Sequence, residues 1–196
     1  MKKNLIKIIL FILLVFAVSV FAGQPLETVK ANADRVLDVL RDPSLKAASA
    51  KKIKKEKIRA IAKEMFDFTE LSKRTLARNW GKLNPDQQKE FVELYQSVLE
   101  DAYADKILSY KDEKIGFSKE VSLSENTVEV RSTIIRKNME IPINYRAIKK
   151  EGTWKVYDVV IEGVSLISNY RSQFKEILAN KPPESLLETL RKKVGK

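Results

Sequence analysis

The chain has 196 residues, of which 37 are Lys or Arg and 26 are Asp or Glu, for a formal net charge of +11, and it contains neither His nor Cys. The lack of those two types excludes a Ser-His-Asp triad, a Cys-His nucleophile and a soft metal site. The positive surplus points toward acidic partners: nucleic acid, anionic lipid surfaces or acidic proteins.

The chain starts M-K-K-N-L-I-K, continues with an apolar run from Ile8 to Val18, and reaches Ser19-Val20-Phe21-Ala22. This is the layout of a secretory signal, with cleavage expected between Ala22 and Gly23. A membrane anchor is the competing reading, but the uncharged run from Ile8 to Gln24 is short for a span. The expected organisation is a signal at 1–22 and one domain over 23–196. Export takes nucleic acid off the list of expected partners. Removing Lys2, Lys3 and Lys7 leaves a surplus of about eight positive charges.

Leu26, Val29, Ala33, Val36, Leu37 and Leu40 form one helical stripe, ended by Asp42-Pro43. A lysine-rich run follows, from Lys46 to Lys57. It reads either as a solvated helix face or as a patch for an anionic membrane or partner. Ile58, Ile61, Ala62, Met65 and Phe66 continue a buried stripe, and Thr69 is the expected cap of a further short helix. Leu83-Asn84-Pro85-Asp86-Gln87 has the spacing of a capping box with Pro in the first turn. The helix after it carries Phe91, Leu94, Tyr95, Val98, Leu99, Tyr103 and Ile107 on one side.

Beyond Tyr110 the period changes to two. Phe117, Val121 and Leu123 alternate with polar residues, as do Val128, Val130 and Ile134, and then Met139, Ile141, Ile143 and Tyr145. Glu125-Asn126, Lys137-Asn138 and Glu151-Gly152 are turn signals, so four strands should form an antiparallel meander. Pro142 implies an edge position or a bulge. The fourth strand, from Trp154, should place Trp154, Val156, Asp158 and Val160 on one face and Lys155, Tyr157, Val159 and Ile161 on the other. Both sets are apolar enough to be covered. Gly163 ends the strand, a helix is expected over Val164–Leu178, and a last one starts at Pro183. The fold class is α+β, with helices packed on a four-stranded antiparallel sheet.

No catalytic constellation stands out. Ser165 lies in G-V-S-L-I, where its hydroxyl suits a helix cap. Glu100, Asp101 and Asp105 read as a solvated acidic face. Asp158, inside an apolar strand, needs a partner, and Arg171 is the candidate. What remains is a convergence of large apolar groups: Trp80, Phe91, Tyr95, Leu99 and Tyr103 from helices, Ile141, Ile143, Tyr145, Val159 and Ile161 from strands. These ten either fill an ordinary core or line a cavity.

The stretch W-K-V-Y-D-V-V-I-E-G-V-S-L-I-S-N-Y-R-S-Q-F, Trp154 to Phe174, resembles the signature of the MlaC family, the toluene-tolerance auxiliary proteins. Phe66-Asp67-Phe68, Trp80, Leu83-Asn84-Pro85 with Gln87, and Asn144-Tyr145-Arg146 fit the same pattern in order. The resemblance implies a periplasmic carrier, not an enzyme, with no cofactor and no metal. It would hold the acyl tails of a phospholipid in a cavity between sheet and helices, lined by the ten residues above. Its partners would be an inner-membrane ABC transporter complex and an outer-membrane lipoprotein complex, met transiently while outer-membrane lipid asymmetry is maintained. Two alternatives remain open: a lipid hydrolase with a Ser or carboxylate site, and a peripheral membrane scaffold acting through the lysine-rich helix.

Overall fold

The computed structural model describes residues 25–110, 113–136 and 139–195. The expected signal, residues 1–22, and the Lys137-Asn138 turn lie outside the described residues. Helix α1 (Pro25–Arg41) stops where Asp42 opens a 3-10 turn by accepting from the Ser44 N–H. Helix α2 (Lys51–Met65) follows. Helix α3 (Phe68–Leu76) is capped by Asp67, which accepts from Glu70 N at 2.8 Å. Thr69 lies inside that helix and is not the cap. Asp67 takes the role because its own N–H is tied to Val156 O, holding it outside the helical turn.

Helix α4 (Pro85–Leu108) begins with the expected capping box: Asn84 accepts from Gln87 N, and Gln87 accepts from Asn84 N, both at 2.9 Å. Strands β1 (Lys114–Ser124), β2 (Thr127–Arg136), β3 (Met139–Lys150) and β4 (Thr153–Ile161) form the antiparallel meander in chain order. A fifth strand, β5 (Val164–Ser165), pairs with the end of β4. Sequence periodicity assigned these two residues to a helix. The Glu162-Gly163 turn, with φ of 49° and 83°, instead folds them back onto β4. Helix α5 (Leu166–Leu178) therefore starts later, and Ser165 caps it by accepting from Ser168 N. Helix α6 (Pro183–Lys193) completes the described chain.

Pro142 belongs to the inner strand β3 but sits at a local edge position, beyond the last β3–β4 pair. It pairs with Thr133 inside the sheet, and its carbonyl accepts from Glu162 N at 3.0 Å, just past the last β4 pair, Ile143–Ile161. Its missing N–H thus falls where β4 has already turned away.

A β-bulge at Tyr157 breaks the strict alternation expected of β4. Arg146 pairs with Asp158 and Ala147 with Val156, so Tyr157 is the extra residue. Val156 and Val159, expected on opposite faces, join one apolar cluster, while Tyr157 joins another. The bulge thus gives the molecule two interiors. One lies among α3, α4, α5 and α6, with Phe91, Tyr95 and Phe174 in edge-on and tilted ring contacts 5.2–5.7 Å apart. The other lies between the sheet and the pair α1–α2.

Candidate functional site

Directly opposed residues in an antiparallel ladder share a face of the sheet. Val130, Tyr145 and Val159 form one such row; Ser132, Ile143 and Ile161 form the next. Leu26 and Val29 of α1, Met65 at the end of α2 and the adjoining Phe66 pack over this face. The centre is closed: Val130 and Val156 are buried. Around it, Phe117, Val128, Ile143, Tyr145, Ile161 and Leu166 are apolar yet only half-buried. The helical interior differs, because most of its members are fully buried and Phe91 and Tyr95 expose nothing.

Tyr145 marks the character of the second interior. Burial alone pushes its phenol up to about 12. It stands in the row Val130–Tyr145–Val159 among half-buried apolar neighbours, so this face is the less tightly closed of the two interiors and the candidate recess. Tyr95 is also pushed well up by burial, but it is packed shut among rings, with Thr75 Oγ1 donating to its hydroxyl at 3.4 Å.

The ten residues singled out from the sequence divide between the two interiors. Ile143, Tyr145, Val159 and Ile161 come together on the sheet face beneath α1 and α2. Phe91, Tyr95 and Leu99 lie in the helical core, with Trp80 and Tyr103 half-buried at its margin. Ile141 pairs with Ile134 on the recess face, further along the strands, and is half-buried. The helical aromatics and the strand aliphatics therefore do not line one shared space. The recess also uses Val29, Met65, Phe117 and Val130, each legible as apolar. Only the cross-strand register and the α1–α2 packing reveal their convergence.

The opposite face of β2–β4 carries a polar network beside the apolar Tyr157 and Ile148. Asp158, 1% exposed, accepts from Ser165 Oγ at 2.7 Å, Ile167 N at 3.1 Å and Arg146 Nη1 at 3.2 Å. Arg171, the expected partner, instead donates to Arg74 O at 2.6 Å. Arg146 wins because the β3–β4 register places it opposite Asp158. Arg146 also reaches Glu129, as does Arg131. This network ties three strands to the start of α5, and Ser165 spends its hydroxyl within it. Among the described residues, no group of three or more carboxylates is placed to hold a metal ion.

The acidic face of α4 and the basic run of α2 meet. Lys51 pairs with Asp105 at 3.0 Å, Lys55 with Asp101 at 2.8 Å, and Arg59 with Glu100 at 2.6 Å. These pairs hold the outer wall of the recess to the helical body.

Comparisons with known proteins agree with this architecture. A family model described as "MlaC protein" matches residues 30–192. The intermembrane phospholipid transport system binding protein MlaC of Haemophilus influenzae is 25% identical over 199 aligned positions, covering 94% of this chain and 90% of the relative. A phospholipid-binding protein of Ralstonia solanacearum, solved in complex with a phospholipid, superposes with a TM-score of 0.78. That match covers 88% of this chain and 98% of the other at 23% identity, and it establishes the shared fold.

Proposed function

Because the chain belongs to the MlaC family, we propose that it is a periplasmic carrier whose recess takes up the acyl tails of a phospholipid. Family membership places it among non-enzymatic lipid-binding transport proteins. On this reading residues 1–22 are a cleaved signal and 23–196 one lipid-binding domain. The carrier moves phospholipid between outer and inner membranes within an Mla-type ABC transport system that maintains outer-membrane asymmetry. Its protein partners are an inner-membrane ABC transporter complex and an outer-membrane lipoprotein complex. Among the described residues, no helix is long and apolar enough to cross a membrane.

The observation that carries this reading is the ring of half-buried apolar residues, Phe117, Val128, Ile143, Tyr145, Ile161 and Leu166, around a closed centre on one face of the sheet. Each buried methylene is worth about 0.8 kcal/mol, so a sixteen-carbon tail represents roughly 12 kcal/mol. An apolar recess offsets most of that cost and lets a lipid leave a bilayer without any chemical step. The hydrolase alternative lacks an accessible nucleophile: Ser165 is buried, its hydroxyl is held by Asp158 and caps a helix, and the chain has no histidine.

Native mass spectrometry of the purified protein tests the proposal. Bound phospholipid is expected in the wild type, and its loss is expected in Tyr145→Asp with the circular dichroism unchanged. Leu99→Asp, placed in the packed helical core, should instead unfold the protein. Wild-type protein that is repeatedly free of lipid, or a Tyr145→Asp variant that retains it, overturns the assignment.

A further inference from the structure

The outward side of α2 is exposed along Lys52, Ile53, Glu56, Lys57, Lys63 and Glu64, opposite the buried Ile61 and Met65. Its two carboxylates are already neutralised. Glu64 pairs with Arg35 at 2.6 Å, and Glu56 with Arg59 at 3.2 Å. Lys52, Lys57 and Lys63, and Lys46 just upstream, have no carboxylate within ion-pairing distance among the described residues. The face therefore keeps an uncompensated positive charge, although α2 as a whole carries acids. Ile53 stands in its midst, 54% exposed. At the foot of the face a shallow hollow of about 320 Å³ is lined by Lys46, Lys51 and Lys54 over Leu45 and Leu108, with Asp105 at its side.

We propose that this face of α2 docks the protein on an anionic lipid surface. Surplus lysines attract phosphate headgroups, and their apolar stems lie along the interface while the ammonium groups stay wet. A lone exposed isoleucine among them enters the headgroup layer and reaches the acyl boundary. The placement also makes sense of the wall. Met65, at the end of the same helix, roofs the recess, so docking brings that wall against the bilayer from which cargo leaves. This purpose rests on the carrier reading, whereas the docking itself rests on the charges.

Co-sedimentation of the purified protein with phosphatidylcholine vesicles, with and without phosphatidylglycerol, tests it. Attachment should require phosphatidylglycerol and weaken as salt is raised. Each lysine brought to such a surface strengthens attachment about fivefold, so the triple variant Lys52→Gln, Lys57→Gln, Lys63→Gln should attach about 100-fold less tightly. Ile53→Ser should lose about tenfold. All four positions are exposed, so circular dichroism should not change. Equal attachment to both vesicle types, or an unchanged triple variant, overturns the proposal. So does attachment to polyglutamate but to neither vesicle, which would mark the partner as an acidic protein. Protein that carries co-purified lipid yet ignores anionic vesicles ends the docking proposal and leaves the carrier standing. Protein that attaches but never holds lipid does the reverse.

Discussion

Arg59 Nε stands 2.6 Å from Glu100 Oε2, and Gln96 donates to the other oxygen of the same carboxylate at 2.7 Å. The contact joins α2 to α4 and is the least exposed rung of a three-rung ladder, with the Glu100 side chain 12% exposed. Charge-assisted bonds of that kind are stronger than those between freely solvated groups.

Arg59→Ala should therefore destabilise the protein by about 1 kcal/mol after solvent screening is discounted. Lys51→Ala and Lys55→Ala, which break the exposed rungs, should each cost roughly 0–0.5 kcal/mol. Urea unfolding of the three variants at low and high salt checks the order. Equal costs would mean that burial does not set the strength of the ladder.

Asp158→Ala should be far more costly, about 3 kcal/mol, because Arg146 would lose a charged partner and Ser165 and Ile167 N an acceptor in the interior. Asp158→Asn keeps the shape and should cost less. Thermal unfolding and the yield of folded protein both report the difference. A tolerated alanine would show that the network is dispensable.

Glu70 gives the protein an acid-sensitive contact. Burial raises its carboxyl value, but bonds from Lys150 at 3.0 Å and Arg74 at 2.6 Å outweigh this, leaving it below the ordinary 4.5. A carboxyl depressed in the folded state stabilises above its unfolded value and loses that contribution as pH falls through the folded one. The effect is thus fully present above pH 4.5 and fades below it. Lys150→Met should lower stability near neutrality by about 1 kcal/mol and flatten its decline in acid. Urea midpoints measured across that range would reveal a parallel, unflattened curve if Lys150 plays no part.

Tyr145 should resist ionisation until about pH 12. Ultraviolet titration of the wild type against Tyr145→Phe isolates this phenol. Bound lipid should push the transition higher still, since it displaces the remaining water. A Tyr145 transition near that of a free tyrosine would show a wet, open groove in place of a recess.

Local grammar was readable in the sequence, and relations across the chain were not. The Asn84–Gln87 box is complete within four residues, so it needed no tertiary information, and the same holds for the Ser165 cap. The Tyr157 bulge depends on how β3 lies against β4, and nothing within β4 announces it. Without the bulge, Val156 and Val159 were assigned to opposite faces. The ten apolar residues divide between two clusters because hydrophobicity says that a side chain is buried, not in which interior. Lys51–Lys55 and Asp101–Asp105 were visible as separate charged faces, and only the packing of α2 on α4 shows that they answer each other.

The bulge in β4 turns Val156 toward one apolar interior and Tyr157 toward the other. A molecule with a single greasy centre would slacken every time it gave up its passenger. On the carrier reading, the rings around Phe91 and Tyr95 lie in a separate interior, so emptying the far side of the sheet leaves their contacts in place and the unladen form need not refold before its next load.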